Sequence, residues 1–425
     1  MVHAAFFKKN KILYRNHWVK TKRLRAEERW GQKMYLYFGE LRGFHGIMEI
    51  LKWTICQYFA LVPGAKGTAN TAFITWKNRT FALHEGDMPY ELDIKYDSGN
   101  INTKEQWTYP KMKSVTAHPK IDKKRDKMYM YGYNNYDFLE GRFFHNVLDE
   151  NMTVIEQTNF SLTNNGMVHD IAQTENHIII PDLPLKYDFN QIMRNKLPMV
   201  FDQNGTTRFG VYHKDQSENI EWYTSPENIF LFHFCKAYET DKHFILHACN
   251  MDYLDMMDFV HLENDELKIR GNLRLQRIIL DKKTKKATIA KNRFIENLKE
   301  LEVPYNLDFP IESENSDCIY CSIFDATNGK IIGVVKMSTT NFTRRKPKVF
   351  LMPYGHYMNS EPQVVSIGKK EYIMSFTYNQ EDKAFITLID VEKNKIENVP
   401  IPVRIPPGFH SIWKNMIKND MKITC

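Results

Sequence analysis

Residues 318–337 read CIYCSIFDATNGKIIGVVKM, two apolar runs around a polar loop that ends in Asn328-Gly329. Runs of β-branched and aromatic residues favour strands, and Asn-Gly between two such runs is a strong signal for a β-hairpin. The same pattern recurs at residues 71–85 and at residues 372–390. Short strands separated by turn residues predict an all-β protein, which can be a sandwich, a barrel or a propeller.

The composition is that of a globular protein with a large core, and 27 of the 425 residues are Phe and 22 are Tyr. Aromatic side chains favour strands and can also line an apolar pocket. The net charge of +7 is modest, and no arginine-rich block alternates with aromatics, which argues against a nucleic-acid partner. All-β folds of this size often form one unit, so a single domain over residues 1–425 is predicted.

The six cysteines lack the spacing of a disulfide framework, which predicts free thiols in a reducing compartment. Cys318 and Cys321 form a CxxC pair, but no second pair at the spacing of a zinc site accompanies them. The N-terminus lacks the apolar core of a signal peptide, and no run reaches the roughly 18 apolar residues of a membrane span. We therefore expect a cytoplasmic protein.

Residues 46–62, GIMEILKWTICQYFALV, depart from the strand pattern and predict an amphipathic helix within a helical insert at 37–64. The segment stops at Pro63-Gly64, a common end of a helix. Its apolar face either packs on the domain or lies in a membrane surface. The residues of that face are Ile47, Ile50, Leu51, Thr54, Ile55 and Tyr58, opposite Glu49 and Lys52.

A basic segment precedes this helix, and a solvated face is its simplest interpretation. The alternative is peripheral membrane association, because each basic side chain near an anionic lipid surface strengthens binding. The basic residues are Lys8, Lys9, Lys11, Arg15, Lys20, Lys22, Arg23 and Arg25.

Four of the 15 histidines stand out by their local sequence. His118 lies in TAHPKID, His169 in MVHDIAQTENHIIIPDLPL, His233 in ENIFLFHFCKAYE and His410 in PPGFHSIW. Any one of them alone is more simply a packed or surface residue than a ligand. The other 11 are interpreted in that way, including His84, His177, His243 and His247.

In these contexts the chain resembles the carotenoid cleavage oxygenase family from Met1 to about Trp413. The most specific stretch is MVHDIAQTENHIIIPDLPL at 167–185, and NTAFITWKNRTFALHEGDMPYELD at 70–93 is similar to the family's segment before the first ligand. The four histidine contexts follow in family order. The resemblance implies a seven-bladed β-propeller, with the helical insert on the face near a tunnel mouth. It also implies an axial Fe(II) held by His118, His169, His233 and His410.

The resemblance further implies that three carboxylates orient the ligand rings and raise their basicity. The pairs would be Glu85 with His169, Asp308 with His233, and Glu361 with His410. The family usually has Glu in place of Asp308, and the shorter side chain predicts a backbone shift or a bridging water at His233. Thr71 matches a family threonine whose methyl group shields one open position of the iron.

The implied activity is that of a non-haem iron dioxygenase. It would cleave a carbon–carbon double bond of a carotenoid, apocarotenoid or related polyene with O₂ and give carbonyl products. Two alternatives remain open: a retinoid isomerohydrolase-like activity, and a degenerate propeller that does not catalyse. The chain begins with a stretch similar to the one that follows the family's Arg-Asn-Gly-Pro and Phe-Asp-Gly-Asp-Gly motifs. We therefore expect part of one blade to be absent, which favours the second alternative, whereas the four intact histidine contexts argue against it.

Overall fold

Antiparallel strands dominate the structure, a computed structural model, and most of them form sheets of four. The residues described are 1–9, 11–109, 112–133, 141–164, 166–254, 262–263, 266–267, 272–313, 316–368 and 370–414. An N-terminal hairpin consists of β1 (Val2–Lys8) and β2 (Lys11–His17). The first sheet contains β3 (Ala72–Trp76), β4 (Arg79–Leu83), β5 (Tyr90–Lys95) and β6 (Asn100–Gln106). The second contains β7 (Lys120–Asp122), β8 (Lys127–Gly132), β9 (Arg142–Leu148) and β10 (Val154–Ser161).

The third and fourth sheets each contain an inserted hairpin. The third consists of β11 (Ala172–Gln173), β12 (His177–Asp182), β15 (Arg208–His213) and β16 (Gln216–Thr224), with β13 (Leu185–Tyr187) and β14 (Met199–Phe201) inserted. The fourth consists of β17 (Phe230–Glu239), β18 (His243–Met251), β21 (Arg274–Asp281) and β22 (Ala287–Ala290), with β19 (Leu262–Glu263) and β20 (Glu266–Leu267) inserted.

The fifth and sixth sheets are linked by one short strand. The fifth is β23 (Tyr305–Glu312), β24 (Cys318–Asp325), β25 (Ile331–Ser338) and β26 (Lys348–Leu351). The sixth is β28 (Gln363–Ile367), β29 (Lys370–Asn379), β30 (Ala384–Asp390) and β31 (Lys395–Ile401). The short β27 (His356–Met358) pairs with both β25 and β29 and so connects the two sheets.

Apolar cores between consecutive sheets close these units into a ring. One core lies between the first and second sheets, one between the second and third, one joins the third, fourth and fifth, and one joins the fifth and sixth. The N-terminal hairpin packs on the sixth sheet through Tyr14 and Phe376, and on the first through Val2 and Leu92. The described residues therefore form a β-propeller in which the hairpin occupies the seventh position, and the predicted all-β propeller class is confirmed.

The turn between β3 and β4 shows why the hairpins could be recognised in the sequence. Trp76 pairs with Arg79 across a two-residue turn, and Lys77 and Asn78 have φ angles of 44° and 65°. Two consecutive positive φ angles are the signature of a type I′ turn, whose twist matches that of the strands it joins. The hairpins predicted around residues 326–330 and 379–383 correspond to β24–β25 and β29–β30.

The helical insert at 37–64 contains a 3₁₀ turn (Phe38–Glu40) and α2 (Gly43–Tyr58), and the helix α1 (Lys22–Trp30) precedes it. One face of α2 is exposed: Phe44 is 78% exposed, Leu51 50%, Ile55 47% and Tyr58 85%. The sequence pattern assigned Ile47 and Ile50 to this face, but in the structure both are half-buried. None of the helices in the described ranges is both long and apolar enough to cross a membrane.

A second, short helix α3 (Asn190–Met193) lies beside α2. The two approach so closely that a Cβ on Gly43, whose φ is 57°, would lie 2.6 Å from Asn195 Oδ1. A positive φ and this contact together require glycine at the start of α2. Met193 is 74% exposed and Phe189 is also exposed, so α3 extends the apolar face of α2.

A buried ion pair links the second and third sheets. The Lys214 ammonium donates to Asp122 Oδ2 at 2.7 Å and to the Thr174 carbonyl at 2.9 Å. Arg125 donates to the same carboxylate at 3.1 Å. Burial alone would raise the pKa of Asp122, but these donors outweigh it and lower the pKa to about 2.

Replacement of Asp122 by Asn should therefore destabilise the protein in a pH-dependent way. A lowered pKa stabilises the fold above the ordinary carboxyl pKa, and this contribution disappears as the pH falls from about 4 to about 2. We expect Asp122→Asn to cost about 3 kcal/mol near neutral pH, because the buried Lys214 ammonium loses its charged partner. Urea unfolding of both proteins at several pH values measures the difference. A difference that stays constant down to the lowest pH would contradict this account.

Candidate metal centre

Glu85 lies in the loop between β4 and β5. Six of the other residues singled out in the sequence lie in the first strands of the sheets or within three residues before them. They are Thr71 before β3, His118 before β7, His169 before β11, His233 in β17, Asp308 in β23 and Glu361 before β28. The first strands β11, β17, β23 and β28 are neighbours in space. His410 follows β31, in a segment whose Phe409 carbonyl accepts the Glu361 N–H at 2.9 Å. The propeller thus brings together residues that are far apart in the chain.

The four histidines converge on one point. One ring nitrogen from each of His118, His169, His233 and His410 lies within 4.8 Å of the others. The Nε2 atoms of His118 and His169 are 3.2 Å apart, as are those of His169 and His233. His233 is buried and the other three are half-buried.

A carboxylate lies behind three of the four rings. Glu85 Oε1 is 2.5 Å from His169 Nδ1, Asp308 Oδ1 is 2.8 Å from His233 Nδ1, and Glu361 Oε2 is 3.3 Å from His410 Nδ1. These are the three pairs that the family resemblance implied. A neutral imidazole that donates its Nδ1 proton to such a carboxylate carries a lone pair on Nε2, and this lone pair points to the common centre.

These lone pairs fit a metal ion. Nε2 atoms that face each other at 3.2 Å repel one another unless a cation lies between them. With metal–nitrogen bonds of about 2.1 Å, two ligands at right angles are about 3.0 Å apart, close to the observed separation. Imidazole donors suit iron, copper, nickel and zinc, and four of them leave positions open on a six-coordinate ion.

Burial also favours the neutral rings that metal binding needs. Burial lowers the pKa of His118 well below its ordinary value, and the three neighbouring histidines lower it further. Burial lowers the pKa of His233 as well, although Asp308 opposes the change. At His169 burial acts in the same direction, but the charge of Glu85 and its contact with the ring outweigh it, and the pKa is raised.

Asp308 reaches His233 directly, and the strand around it is irregular. The pairing of β23 with β24 shifts register between Asp308 and Ile311, and Phe309 has a φ of 50°. Successive side chains of a regular strand point to opposite faces. Here both Asp308 and Phe309 contact the site, since the Phe309 ring lies 5.6 Å from His233 and 5.0 Å from His410. A bulky residue in the left-handed region costs about 1–3 kcal/mol, which the packing around it must offset.

Thr71 is connected to the site through its backbone. Its carbonyl accepts the His410 N–H at 3.4 Å, and its own N–H donates to Leu83 at 3.0 Å. The segment that carries His410 is also held by Ser411, whose N–H donates to Glu361 Oε2 at 3.2 Å. The role of the Thr71 methyl group remains a prediction.

Two residues at the site were not singled out in the sequence. Nothing in the local sequence marks Phe309, because its approach to the site depends on the register shift between β23 and β24. Asp170 directly follows His169 within the most specific stretch, and its carboxylate accepts from Lys120 at 2.7 Å and from the Phe234 N–H at 2.9 Å. Its position next to a candidate ligand was the available signal.

The fold and the site together define a β-propeller with a candidate four-histidine metal centre at the meeting point of its first strands. Residues 1–415 match the family model described as retinal pigment epithelial membrane protein, and the chain belongs to that family.

The chain is similar to carotenoid 9,10(9′,10′)-cleavage dioxygenase 1 of Phaseolus vulgaris, with 27% identity over 97% of this chain and 79% of that protein. Among solved structures it is similar to a mutant of the Synechocystis apocarotenoid oxygenase, with a TM-score of 0.76 and 16% identity over 97% of this chain and 86% of that one. A lignostilbene dioxygenase from Pseudomonas brassicacearum superposes with a TM-score of 0.75 and 17% identity, over 96% and 85% of the two chains. These likenesses support the propeller fold.

Replacement of Asp308 by Asn should weaken metal binding. The amide has nearly the same shape as the carboxylate but lacks its charge, so His233 becomes a poorer donor to a cation. We expect a 10- to 100-fold loss of affinity for Fe(II) or Co(II), the usual range for such partners. Anaerobic titration of the metal-free protein measures it. Asp241→Asn, at an exposed position, serves as the control. Equal affinities of wild type and Asp308→Asn would rule out this role for Asp308.

Proposed function

We propose that this protein is a non-haem Fe(II) dioxygenase that cleaves a double bond of a carotenoid, apocarotenoid or related polyene. The observation that carries the proposal is the convergence of four imidazole nitrogens within 4.8 Å, with carboxylates behind three of the rings. The similarity to plant carotenoid 9,10(9′,10′)-cleavage dioxygenases, among them those of Phaseolus vulgaris and Crocus sativus, supports the substrate class.

In the proposed reaction one C=C bond of the polyene is broken. Two C=O bonds form in its place, and each of the two products receives one oxygen atom of O₂. Iron bound to His118, His169, His233 and His410 would supply the redox chemistry that brings O₂ and a double bond to reaction. Glu85, Asp308 and Glu361 would keep the rings in the tautomer that binds a cation.

The surroundings of the rings suit an apolar substrate. Phe232 lies 5.3 Å from His169, and Phe309 lies against His233 and His410. Aromatic walls exclude water and give a planar polyene a surface to pack on. Substrate register, and thus the choice of double bond, would be set by such contacts.

Cleavage under ¹⁸O₂ tests this function. The Fe(II)-loaded protein is mixed with a carotenoid, an apocarotenoid or a stilbene in detergent micelles, and aldehydes are trapped by reduction before they exchange oxygen with water. We expect label in both fragments, and loss of bound iron and of cleavage when any of the four histidines is changed to Ala. His213→Ala, whose side chain is 39% exposed, is the matched control.

Two outcomes would contradict the proposal and point to the alternatives. Isomerised or hydrolysed products without ¹⁸O would indicate an isomerohydrolase-like activity. A folded protein that binds no iron would indicate a propeller that acts only as a scaffold.

We also propose that the apolar face of α2 and α3 contacts a membrane surface, where polyenes dissolve. This face consists of Phe44, Met48, Leu51, Ile55, Tyr58, Phe189 and Met193, and all seven are exposed. An exposed apolar patch of this kind on a surface helix is typical of an interfacial contact. The segment that directly follows the insert is also tied to the candidate site: Lys66 lies 3.2 Å from Asp87, and the Gly67 N–H donates to the same carboxylate at 3.0 Å. Asp87 lies in the loop that carries Glu85.

The basic residues near the insert differ in how available they are to anionic lipid. Lys22 and Arg25 are exposed and available to anionic lipid. Arg23, which the sequence grouped with them, is buried, and its guanidinium stacks 4.2 Å from the centre of the Tyr37 ring. Lys20 is paired with Glu28 at 2.7 Å.

The double variant Leu51→Asp/Ile55→Asp should reduce liposome binding and polyene turnover but leave iron content unchanged. Both side chains are about half exposed, so the charges are placed in solvent and not in the core. Sedimentation with neutral and anionic vesicles, at low and high salt, measures binding. We expect tighter binding to anionic vesicles and weakening by salt. Wild-type binding by the double variant would show that this face does not contact lipid.

A further inference from the structure

The Asp170 carboxylate connects three of the four segments that carry the histidines. Its Oδ1 lies 2.7 Å from the Lys120 ammonium, two residues after His118. Its Oδ2 accepts the N–H of Phe234 at 2.9 Å, one residue after His233. Asp170 itself follows His169 directly, and its side chain is 2% exposed. One buried side chain therefore lies at the junction of the second, third and fourth sheets.

The strand that carries His233 needs this contact. The pairing of β17 with β18 shifts register between Leu231 and Phe234 and again between Phe234 and Lys236. A bulge re-aims side chains and leaves backbone groups outside the ladder. The Phe234 N–H finds its acceptor on Asp170, in the neighbouring sheet. An unpaired buried N–H would cost about as much as a lost hydrogen bond, so the carboxylate stabilises the bulge at His233.

The segment that carries His118 depends on the Asp170 carboxylate for a different reason. In the described part of the chain, its ring is the one among the four that has no carboxylate within 4.0 Å of a nitrogen. Its backbone N–H donates to Thr116 Oγ1 at 2.8 Å, and the side chain of Lys120 reaches across to Asp170. The ion pair is thus a charged contact, two residues from His118, that ties its segment to the other ligand segments.

We propose that Asp170 is a positioning residue that sets the spacing of His118, His169 and His233 for metal binding. The inference rests on the proposed function, because it presumes that these histidines bind a metal. Asp170 does not touch the ring nitrogens and acts through the backbone and through Lys120. Its two oxygens accept from three donors: the Lys120 ammonium, the Phe234 N–H, and the Ile171 N–H at 2.7 Å.

Asp170→Asn is the sharpest test, since it changes this pattern with almost no change of shape. An amide offers one acceptor oxygen and one NH₂ donor, so one of the three donors must face another donor. The probe is Co(II), whose visible absorption bands report coordination geometry, added to the metal-free full-length protein. We expect a 10- to 100-fold loss of Co(II) affinity and a shift of these bands.

Asp182→Asn is the matched control for a purely structural role. Asp182 is fully buried in the same sheet, pairs with Arg208 at 2.7 Å and accepts the N–H groups of Thr163 and Asn164 at 2.8 and 3.2 Å. None of these partners adjoins a histidine of the cluster. We expect this variant to lower the melting temperature of the metal-free protein while its Co(II) bands stay at the wild-type position.

Lys120→Met provides a second variant, which decides the matter if Asp170→Asn fails to fold. It removes the ammonium and keeps the carboxylate and its two backbone donors, so only the link to His118 is lost. We expect shifted Co(II) bands here too. Wild-type affinity and bands in a folded Asp170→Asn or Lys120→Met protein would overturn the inference and leave the proposed function standing. Failure of the wild-type protein to bind Co(II) or Fe(II) would instead overturn the proposed function, and the inference with it.

Discussion

Four imidazole rings can meet at one point only if something holds each of them against the repulsion of the others. Their lone pairs face a space in which two pairs of Nε2 atoms are 3.2 Å apart. The opposing restraint comes from behind: Glu85, Asp308 and Glu361 each lie within hydrogen-bond or ion-pair distance of an Nδ1 atom. We propose that these carboxylates determine which nitrogen of His169, His233 and His410 faces the centre, and that they add the negative charge that four neutral ligands lack.

The propeller provides the geometry for this arrangement, because every sheet begins near the centre. A first strand can supply one site residue at its start, while the other residues of the sheet pack in the apolar cores. In two first strands the backbone departs from regular geometry beside a site residue. β17 and β23 both shift register next to a site residue, and Phe309 adopts a positive φ. The adjoining cores, which continue across the third, fourth and fifth sheets, offset the cost of these distortions.

The exposed face of α2 has the opposite character. Its apolar side chains bury little surface within the chain, although the helix is anchored by Gly46 and Cys56 on its inner side. Exposed apolar side chains contribute little to folding, which is why we propose a lipid contact for this face. The segment that follows the insert is held to the loop that carries Glu85, so the proposed contact and the candidate metal centre lie on connected parts of the structure.

The sequence alone was sufficient for the local elements and for the chemical identity of the site. Lys77-Asn78 and Asn328-Gly329 mark hairpins because positive φ angles restrict the residues that can occupy a tight turn. The histidine contexts, compared with a known family, indicated which of 15 histidines to consider. The exposed face of α2 was predicted only in part, because helical periodicity shows that a face is apolar and not which edge of it α3 and the segment with Met34 and Tyr35 cover.

Only the tertiary structure decided how these parts act together. Strand register and bulges depend on the partner strand. Neither the register shift at Phe309 nor the direct contact of Asp308 with His233 could therefore be predicted from a single segment. The burial of Arg23 beneath Tyr37 likewise depends on chain folding between distant residues. Asp170 is the clearest case. Its place in the sequence shows one neighbour, His169, whereas its contacts with Lys120 and Phe234 exist only because three sheets meet at the centre of the ring.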